Sequence, residues 1–517
     1  MLCREITRRR LVAGALAGAA SLRASCPPLR ALAQSAVPQM TIAITDVTLI
    51  DATGAPPRPK TTVVIEGDRI AEIRDSDAGA NPSGVSVVDG TGRYLIPGLW
   101  DAHVHTFVFP WQPDHQLPLF IANGVTGIRD MGGAFPASAI DEMGAGIPMS
   151  AVDAIRAAIG ARERVGPRIV AGVMVDGRTP VWPVALAVGT ADEGRQVVAT
   201  IAEAGADFVK VYTFYTLLPR EAFLAIAEAA NQRDFPFAGH VPITVTAWEA
   251  SDAGQRTIEH YTDSLLPYCS TAEDEILTEL RAAAAGADPV QAYAAAFFGM
   301  LPRFLETFDP GKVQAMATHF VANQTWFTPT LILGQNAALA EDPAQPADPR
   351  LRFMPSEVVA SWNPQGDVRP VARTEEDLAM TWQLMDTGAT ITQTMQRTGV
   401  LLMAGTDVGL PHLFPGFSLH DELALLVEAG LSPLEALQAA TRNTAQAVGL
   451  GDELGTVEVG KLADLVLLEA DPLAAITNTT RIAAVVANGR LFEKSELQGL
   501  LLAAEQAATT TVARPTP

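Results

Sequence analysis

His103 and His105 close the segment Leu95-Ile-Pro-Gly-Leu-Trp-Asp-Ala-His-Val-His105. Side chains at i and i+2 of a strand leave the same face, so both imidazoles can reach one ion; the pair reads as a metal clamp at the end of an apolar strand. Other ionisable residues occupy comparable places. Lys210 sits inside the apolar run Phe208-Val-Lys-Val-Tyr212, His240 ends "FAGH", His260 ends "TIEH" and Asp407 ends "LLMAGTD". The chain has eight histidines, and four of them fall at the ends of predicted strands, a concentration that chance seldom arranges. A lysine between Val209 and Val211 is costly to bury without a partner.

These residues need a frame that points them at one place. Between residues 96 and 453, short apolar runs alternate with helical stretches. Candidate strands are 95–105, 124–130, 168–175, 207–213, 236–241, 257–261, 327–333 and 400–407. Eight strands alternating with helices predict an α/β fold, a (β/α)8 TIM-like barrel, whose active site lies at the C-terminal ends of the strands. Two stretches of about 65 residues, at about 262–326 and 334–399, exceed ordinary loop lengths and read as helical insertions placed to cover the barrel mouth. The part at 340–370, rich in Pro, Asp and Ala, reads as irregular. Residues 40–74 and 454–493 alternate apolar and polar with Gly and Asp at turns. Neither end has enough strands for a stable sheet, so 34–95 plus 454–517 are expected to form a small β-sandwich domain.

The first 33 residues differ from the rest. Thr7-Arg8-Arg9-Arg10-Leu11 leads into an Ala/Gly/Leu run, with Ala31-Leu32-Ala33 before Gln34. This reads as a twin-arginine-like export signal, too short to span a bilayer, with a periplasmic or secreted destination and no stable membrane insertion. Six Arg and one Glu leave with it, taking the net charge from −22 to about −27. No Lys/Arg patch suits a phosphate backbone, so a nucleic-acid partner is excluded in favour of a small-molecule substrate; homo-oligomerisation stays open. Cys3 and Cys26 also leave, and Cys269 alone can form neither an intramolecular disulfide nor a thiolate cluster. A metal site must use His, Asp, Glu or a modified Lys.

The motifs "LIPGLWDAHVHT", "FVKVY", "AGHV", "TIEHY", "AGTD" and "GTVEVGKLADLVLLEADP", which together span nearly all of the chain beyond residue 33, resemble the amidohydrolase superfamily, close to its imidazolonepropionase-like and prolidase-like branch. That resemblance implies two divalent metal ions. His103, His105 and Asp407 would bind one, His240 and His260 the other, and a carboxylated Lys210 would bridge them. The chemistry agrees: an ammonium repels two cations, whereas a carbamate offers two anionic oxygens. Zinc fits the His/carboxylate set best, with Mn and Co also compatible. A water shared by two ions ionises near neutrality, and Asp407 would serve as general base and then general acid in cleaving an amide bond, as in a dipeptide or N-acyl amino acid. The other reading is a mononuclear deaminase or a cyclic amidine or lactone hydrolase of the same superfamily, against which Lys210 argues.

Substrate contacts are less defined. His412 and His420 follow Asp407 in a loop expected at the mouth, His420 also being placed to cap a helix starting near Leu419. Arg129 and Asp130 end the second strand and are candidates to contact substrate or each other, and Arg178 is a further cation at the mouth. Tyr212 is expected to pack rather than react, although it adjoins Lys210. His115 and His319 stand outside any motif and read as structural.

Overall fold

Apolar residues alternating at the two chain ends resolve into one mixed sheet. Thr41–Leu49, Arg58–Glu66 and Arg69–Asp75 form an antiparallel meander. Ser86–Asp89 and Tyr94–Pro97 lie parallel to the first of these strands. Leu465–Leu468 then pairs antiparallel with Tyr94–Pro97, followed by Ile482–Ala487 and Arg490–Glu493. All eight strands are hydrogen-bonded into one sheet. Ile42, Ile44, Val63 and Ile65 from one end share a core with Leu465 and Leu467 from the other, so each end supplies the apolar face that the other needs. The computed structural model describes residues 41–79, 84–136, 146–182, 184–212, 217–286, 288–339, 348–362 and 374–509; the export segment read at 1–33 lies outside them, as does much of the stretch 340–370.

The strand expected at 95–105 is two strands. Tyr94–Pro97 belongs to the end sheet, and Leu99–Val104 is the first strand of the barrel. Gly98 lies between them, packed so closely on the second barrel strand that a Cβ there would stand 2.0 Å from Thr126 Oγ1. The barrel continues in parallel through Val125–Phe135, Arg168–Asp176, Phe208–Val211, Phe237–Gly239, Thr257–Glu259 and Trp326–Thr328. The run expected as an eighth strand at 400–407 is irregular. It closes the ring through bridges from Leu402 to Phe327 and from Val408 to Val104, with Met403 N–H donating to Phe327 O (2.9 Å) and Ala102 N–H to Ala404 O (2.9 Å).

The strand expected at 327–333 stops at Thr328, because Pro329 cannot donate to a ladder and Thr330 turns the chain with φ +50° into helix Leu331–Leu339. The two long insertions are helical. The first contains Glu273–Ala284, Pro289–Gly299, Leu301–Glu306 and Pro310–Asn323. In the second, Glu375–Thr398 starts in a Thr374/Asp377 capping box and ends at Gly399 in the left-handed region, both standard helix punctuation. The C-terminal end also carries a helix, Lys494–Ala508, which alternation alone did not disclose. Its Leu497 packs with Phe492, Val485 and Ile121.

Arg168, at the start of the third barrel strand, joins the two parts of the molecule. Its Nε and guanidinium NH2 donate to the Asp464 carboxylate at 2.7 and 3.2 Å, and Asn488 N–H donates to the same group at 3.1 Å. Both side chains of the ion pair are buried. Asp464→Ala should therefore lower unfolding stability by about 3–5 kcal/mol, because it leaves a buried guanidinium unpaired. Denaturant unfolding would measure this, and a loss within 1 kcal/mol of zero would show that solvent relieves the pair.

Candidate active site

The geometry of the site starts with the closing segment 401–408. Asp407 N–H donates to His103 O (2.7 Å) and His105 N–H donates to Val408 O (2.7 Å). The first strand and the last are thereby locked in register, and His103, His105 and Asp407 form one group whose candidate ligand atoms all lie within 4.8 Å of one another. Gly405 permits this approach: a Cβ on it would meet His103 Cβ at 2.8 Å. His240 and His260 each follow directly on their strands. The four rings form a row, with centroid separations of 5.4 Å from His105 to His103, 4.7 Å from His103 to His260 and 4.8 Å from His260 to His240. Asp407 and His260 both adopt φ of +63°, a conformation that costs an ordinary residue energy and persists only where the surroundings impose it.

Beneath the rings lies a layer of buried acceptors, which fix the tautomer of His103, His105 and His260. Glu259 Oε2 lies 3.0 Å from His103 Nδ1. Gly132 O lies 2.9 Å from His105 Nδ1. Both oxygens only accept, so each Nδ1 carries its hydrogen and each Nε2 keeps its lone pair. Those lone pairs face another acceptor. Asp407 Oδ1 is 3.0 Å from His105 Nε2 and 3.4 Å from His103 Nε2, an arrangement satisfied only by a proton or a cation among the three atoms. His260 Nδ1 is 2.7 Å from Thr330 Oγ1. His240 Nδ1 lies 3.2 Å from Asp263 Oδ2 without hydrogen-bond alignment. Lys210 Nζ is fully buried and has no hydrogen-bond partner among the described residues.

The electrostatics favour the neutral, ligand-ready form at His103, His240 and His260. Burial, reinforced by the Lys210 charge, holds His103 and His240 well below the ordinary imidazole pKa, and burial lowers His260 as well. Burial also acts on His105, but the adjacent Asp407 outweighs it and raises its pKa. For Asp407, burial alone would favour the neutral acid, yet His103 and His105 hold it far below the usual carboxylate range. Burial brings the Lys210 amine down to about 8, against the pull of Glu259 and Asp407. Neutral imidazoles and an ionised carboxylate are the states that metals bind.

The supporting layer contains residues that motif reading passed over. Arg129 donates to Glu259 Oε1 and Oε2 (2.7 and 2.8 Å), to Thr257 Oγ1 (2.8 Å) and to Ala102 O (2.6 Å). It is buried, with its guanidinium committed to holding the base beneath His103. Asp130 accepts from Thr106 and Gly132 N–H (2.6 and 3.1 Å) and so steadies both chain segments around His105. Asp101 accepts from His103 N–H, Thr406 N–H and Thr406 Oγ1 (3.3, 3.1 and 2.7 Å), tying the first strand to the closing segment. Burial pushes Asp101 and Asp130 up to about 7. Acids inside otherwise apolar strands were the available signal for Asp101 and Glu259.

The remaining candidates divide between the site and the scaffold. Tyr212 stands beside the site, its ring 4.9 Å from that of His240. His412, half-buried with φ +58°, packs 5.0 Å from Trp362 of the second insertion, and Arg178 is exposed just beyond the third strand. His420 is not in the mouth loop. It is buried within helix Phe417–Glu428, where its ring nitrogens meet Thr479 Oγ1 and Asn123 O at 2.9 and 3.0 Å. His115 bonds Phe353 O, and His319 pairs with Asp252.

The amidohydrolase family model matches residues 381–492. The imidazolonepropionase of Aromatoleum aromaticum is 40% identical over 87 residues, which is 16% of this chain and 20% of that protein. Residues 381–492 of the chain are thus similar to the amidohydrolase family, about a fifth of its length. The alignments to curated relatives such as this one cover about a fifth of their length. Bottromycin amidohydrolase shares the fold over 90% of each chain at 22% identity and a TM-score of 0.68. A Xaa-Pro dipeptidase does so over 88% of this chain and 100% of its own, at 20% identity and a TM-score of 0.58. Of the six candidate ligands, only Asp407 lies within the matched 381–492, so the other five rest on the geometry above.

If Glu259 sets the His103 tautomer, Glu259→Gln should weaken metal affinity by about 10–100-fold in a folded protein. A metal titration of the purified variant, with circular dichroism as the fold control, checks this; unchanged affinity would remove Glu259 from the site.

Proposed function

We propose that the protein is a metal-dependent hydrolase of carbon–nitrogen bonds that cleaves an amide in a dipeptide or N-acyl amino acid. The observation that carries this reading is Lys210, a buried amine without a hydrogen-bond partner among the described residues, whose charge acts on His103, His240 and His260. Unmodified, it would cost several kcal/mol to hold there. As a carbamate it becomes an anion suited to a site of neutral imidazoles. In this reading His103, His105 and Asp407 hold one divalent ion, His240 and His260 a second, and carboxylated Lys210 bridges them, with zinc the best match to the donor set. When bound, such ions acidify water and polarise a carbonyl.

The chain's own residues account for the rest. Asp407, held ionised between His103 and His105, accepts the proton of the attacking water and returns it to the leaving nitrogen. Glu259, Gly132 and Thr330 keep the rings oriented while charge moves. Tyr212, which lies beside His240, and His412 and Arg178 are the candidate substrate contacts in this reading. A one-metal reading, as a deaminase or cyclic amidine or lactone hydrolase, draws on a different observation. His103, His105 and Asp407 are the one group of three potential ligands that converge tightly among the described residues. Export is a further part of the proposal. Among the described residues no helix is long and apolar enough to cross a membrane, and N-terminal sequencing of the mature protein tests for cleavage after Ala33.

Metal analysis should give two ions per chain, and Lys210→Ala should abolish hydrolysis in a screen of dipeptides and N-acyl amino acids, with partial rescue by short-chain carboxylic acids. One ion per chain, with ammonia released from a heterocycle, would instead establish the mononuclear reading. A pH dependence also follows. Only the neutral amine reacts with carbon dioxide, and with a pKa of about 8 the neutral fraction of Lys210 grows as pH rises through 8. Metal uptake by the metal-free protein should therefore increase from pH 6 to 9 and respond to added bicarbonate; uptake indifferent to both would remove the carbamate.

A further inference from the structure

Helix Leu331–Leu339 is capped in an unusual way. Several α-helices take a local side-chain cap, from Thr190, Thr246, Asp288, Asp309, Thr374 or Ser432, and others, such as Glu273–Ala284 and Phe417–Glu428, have no side-chain cap. Thr330, directly before Leu331, is the residue type that would do the same here by accepting a first-turn N–H. Its hydroxyl is occupied elsewhere. Thr330 Oγ1 donates to Pro329 O (2.7 Å) and lies 2.7 Å from His260 Nδ1. A hydroxyl has one hydrogen, so it must accept from His260 Nδ1–H, which leaves the His260 Nε2 lone pair for a ligand role.

The first-turn N–H groups are met from a distance. Glu422, fully buried on helix Phe417–Glu428, accepts from Leu331 N–H (3.1 Å) and Ile332 N–H (2.8 Å). Burial pushes Glu422 up to about 8, a desolvation cost that a local serine or threonine cap would avoid, so capping alone does not account for an acid here. What Glu422 achieves is to release Thr330 from the helix. It also over-determines the backbone at a β-branched residue with φ +50°, opposite His260 with φ +63°, a conformation that does not persist unsupported.

We propose that Glu422 is a positioning residue for His260, acting through Thr330, and this rests on the metal-centre reading above. Without Glu422 the Thr330 hydroxyl turns back to cap its own helix, His260 Nδ1 loses its acceptor, and the ring loses both its tautomer and its aim. The effect is on metal affinity at the His240/His260 side of the site rather than on substrate contact.

Cobalt(II) chloride titrated into the metal-free full-length chain, followed by visible absorption, tests this. Glu422→Gln and Thr330→Val should each weaken cobalt binding by about 10-fold or more, and Thr330→Ser should restore it. The Glu422→Gln/Thr330→Val double variant should bind no more weakly than Thr330→Val alone, because both changes remove one interaction. Should Glu422→Gln fail to fold, Glu422→Asp, one methylene too short to reach both N–H groups, is expected to show the same loss. Affinity within twofold of wild type in a Glu422 variant whose melting temperature has fallen would reduce Glu422 to a helix cap and overturn the proposal. Additive losses in the double variant would do the same. A wild-type chain that takes up no cobalt would overturn the metal reading itself.

Discussion

Four imidazoles, a lysine amine and an aspartate share a pocket from which water is nearly excluded, and their charges and lone pairs have to be balanced from inside the protein. In such a medium an unmatched polar atom costs kilocalories and an unmatched charge costs more. The layer beneath the rings reflects that constraint. Asp101, Asp130 and Glu259 each accept hydrogen bonds from the chain that carries a neighbouring candidate ligand, and Arg129 neutralises part of their charge. Among the described residues this layer leaves unmet the Nε2 lone pair of His103, Nδ1 of His240 and the amine of Lys210, and the proposed metal centre rests on these atoms.

The same requirement explains the irregular closure of the barrel. A regular eighth strand would carry Asp407 past the histidines. With Asp407 at φ +63° and Gly405 against His103, the closing segment gives up ladder bonds and gains a carboxylate 3.0 Å from His105. His260 and Thr330 repeat the pattern at the sixth and seventh strands. His260, Thr330 and Asp407, at or just beyond the ends of barrel segments, carry positive φ that only supporting contacts make tolerable.

Much of this was legible from residue types and spacing. Period-two alternation marked both halves of the end sheet, and apolar runs located all eight barrel segments. The errors share a cause. Residues 95–105 read as one strand because Pro97-Gly98 interrupts a continuous apolar pattern without changing its period. Arg129 and His420 read as mouth residues because sequence shows that a residue follows a strand or a loop, and does not show which way its side chain faces. His412 and His420 are eight residues apart, yet one packs on an insertion and the other on the opposite end of the barrel.

By itself, then, the sequence determined which side chains could bind metal and that they sit at strand ends, because composition and periodicity are properties of the chain alone. Only the tertiary structure decided which lone pairs converge, which acids hold them, and that Glu422 meets a helix some ninety residues earlier in the chain. The His103–His105 spacing is local and can be read directly. The partners that give those rings their protonation state come from other strands, and nothing in a linear sequence shows which distant carboxylate will lie within 3 Å of a given nitrogen.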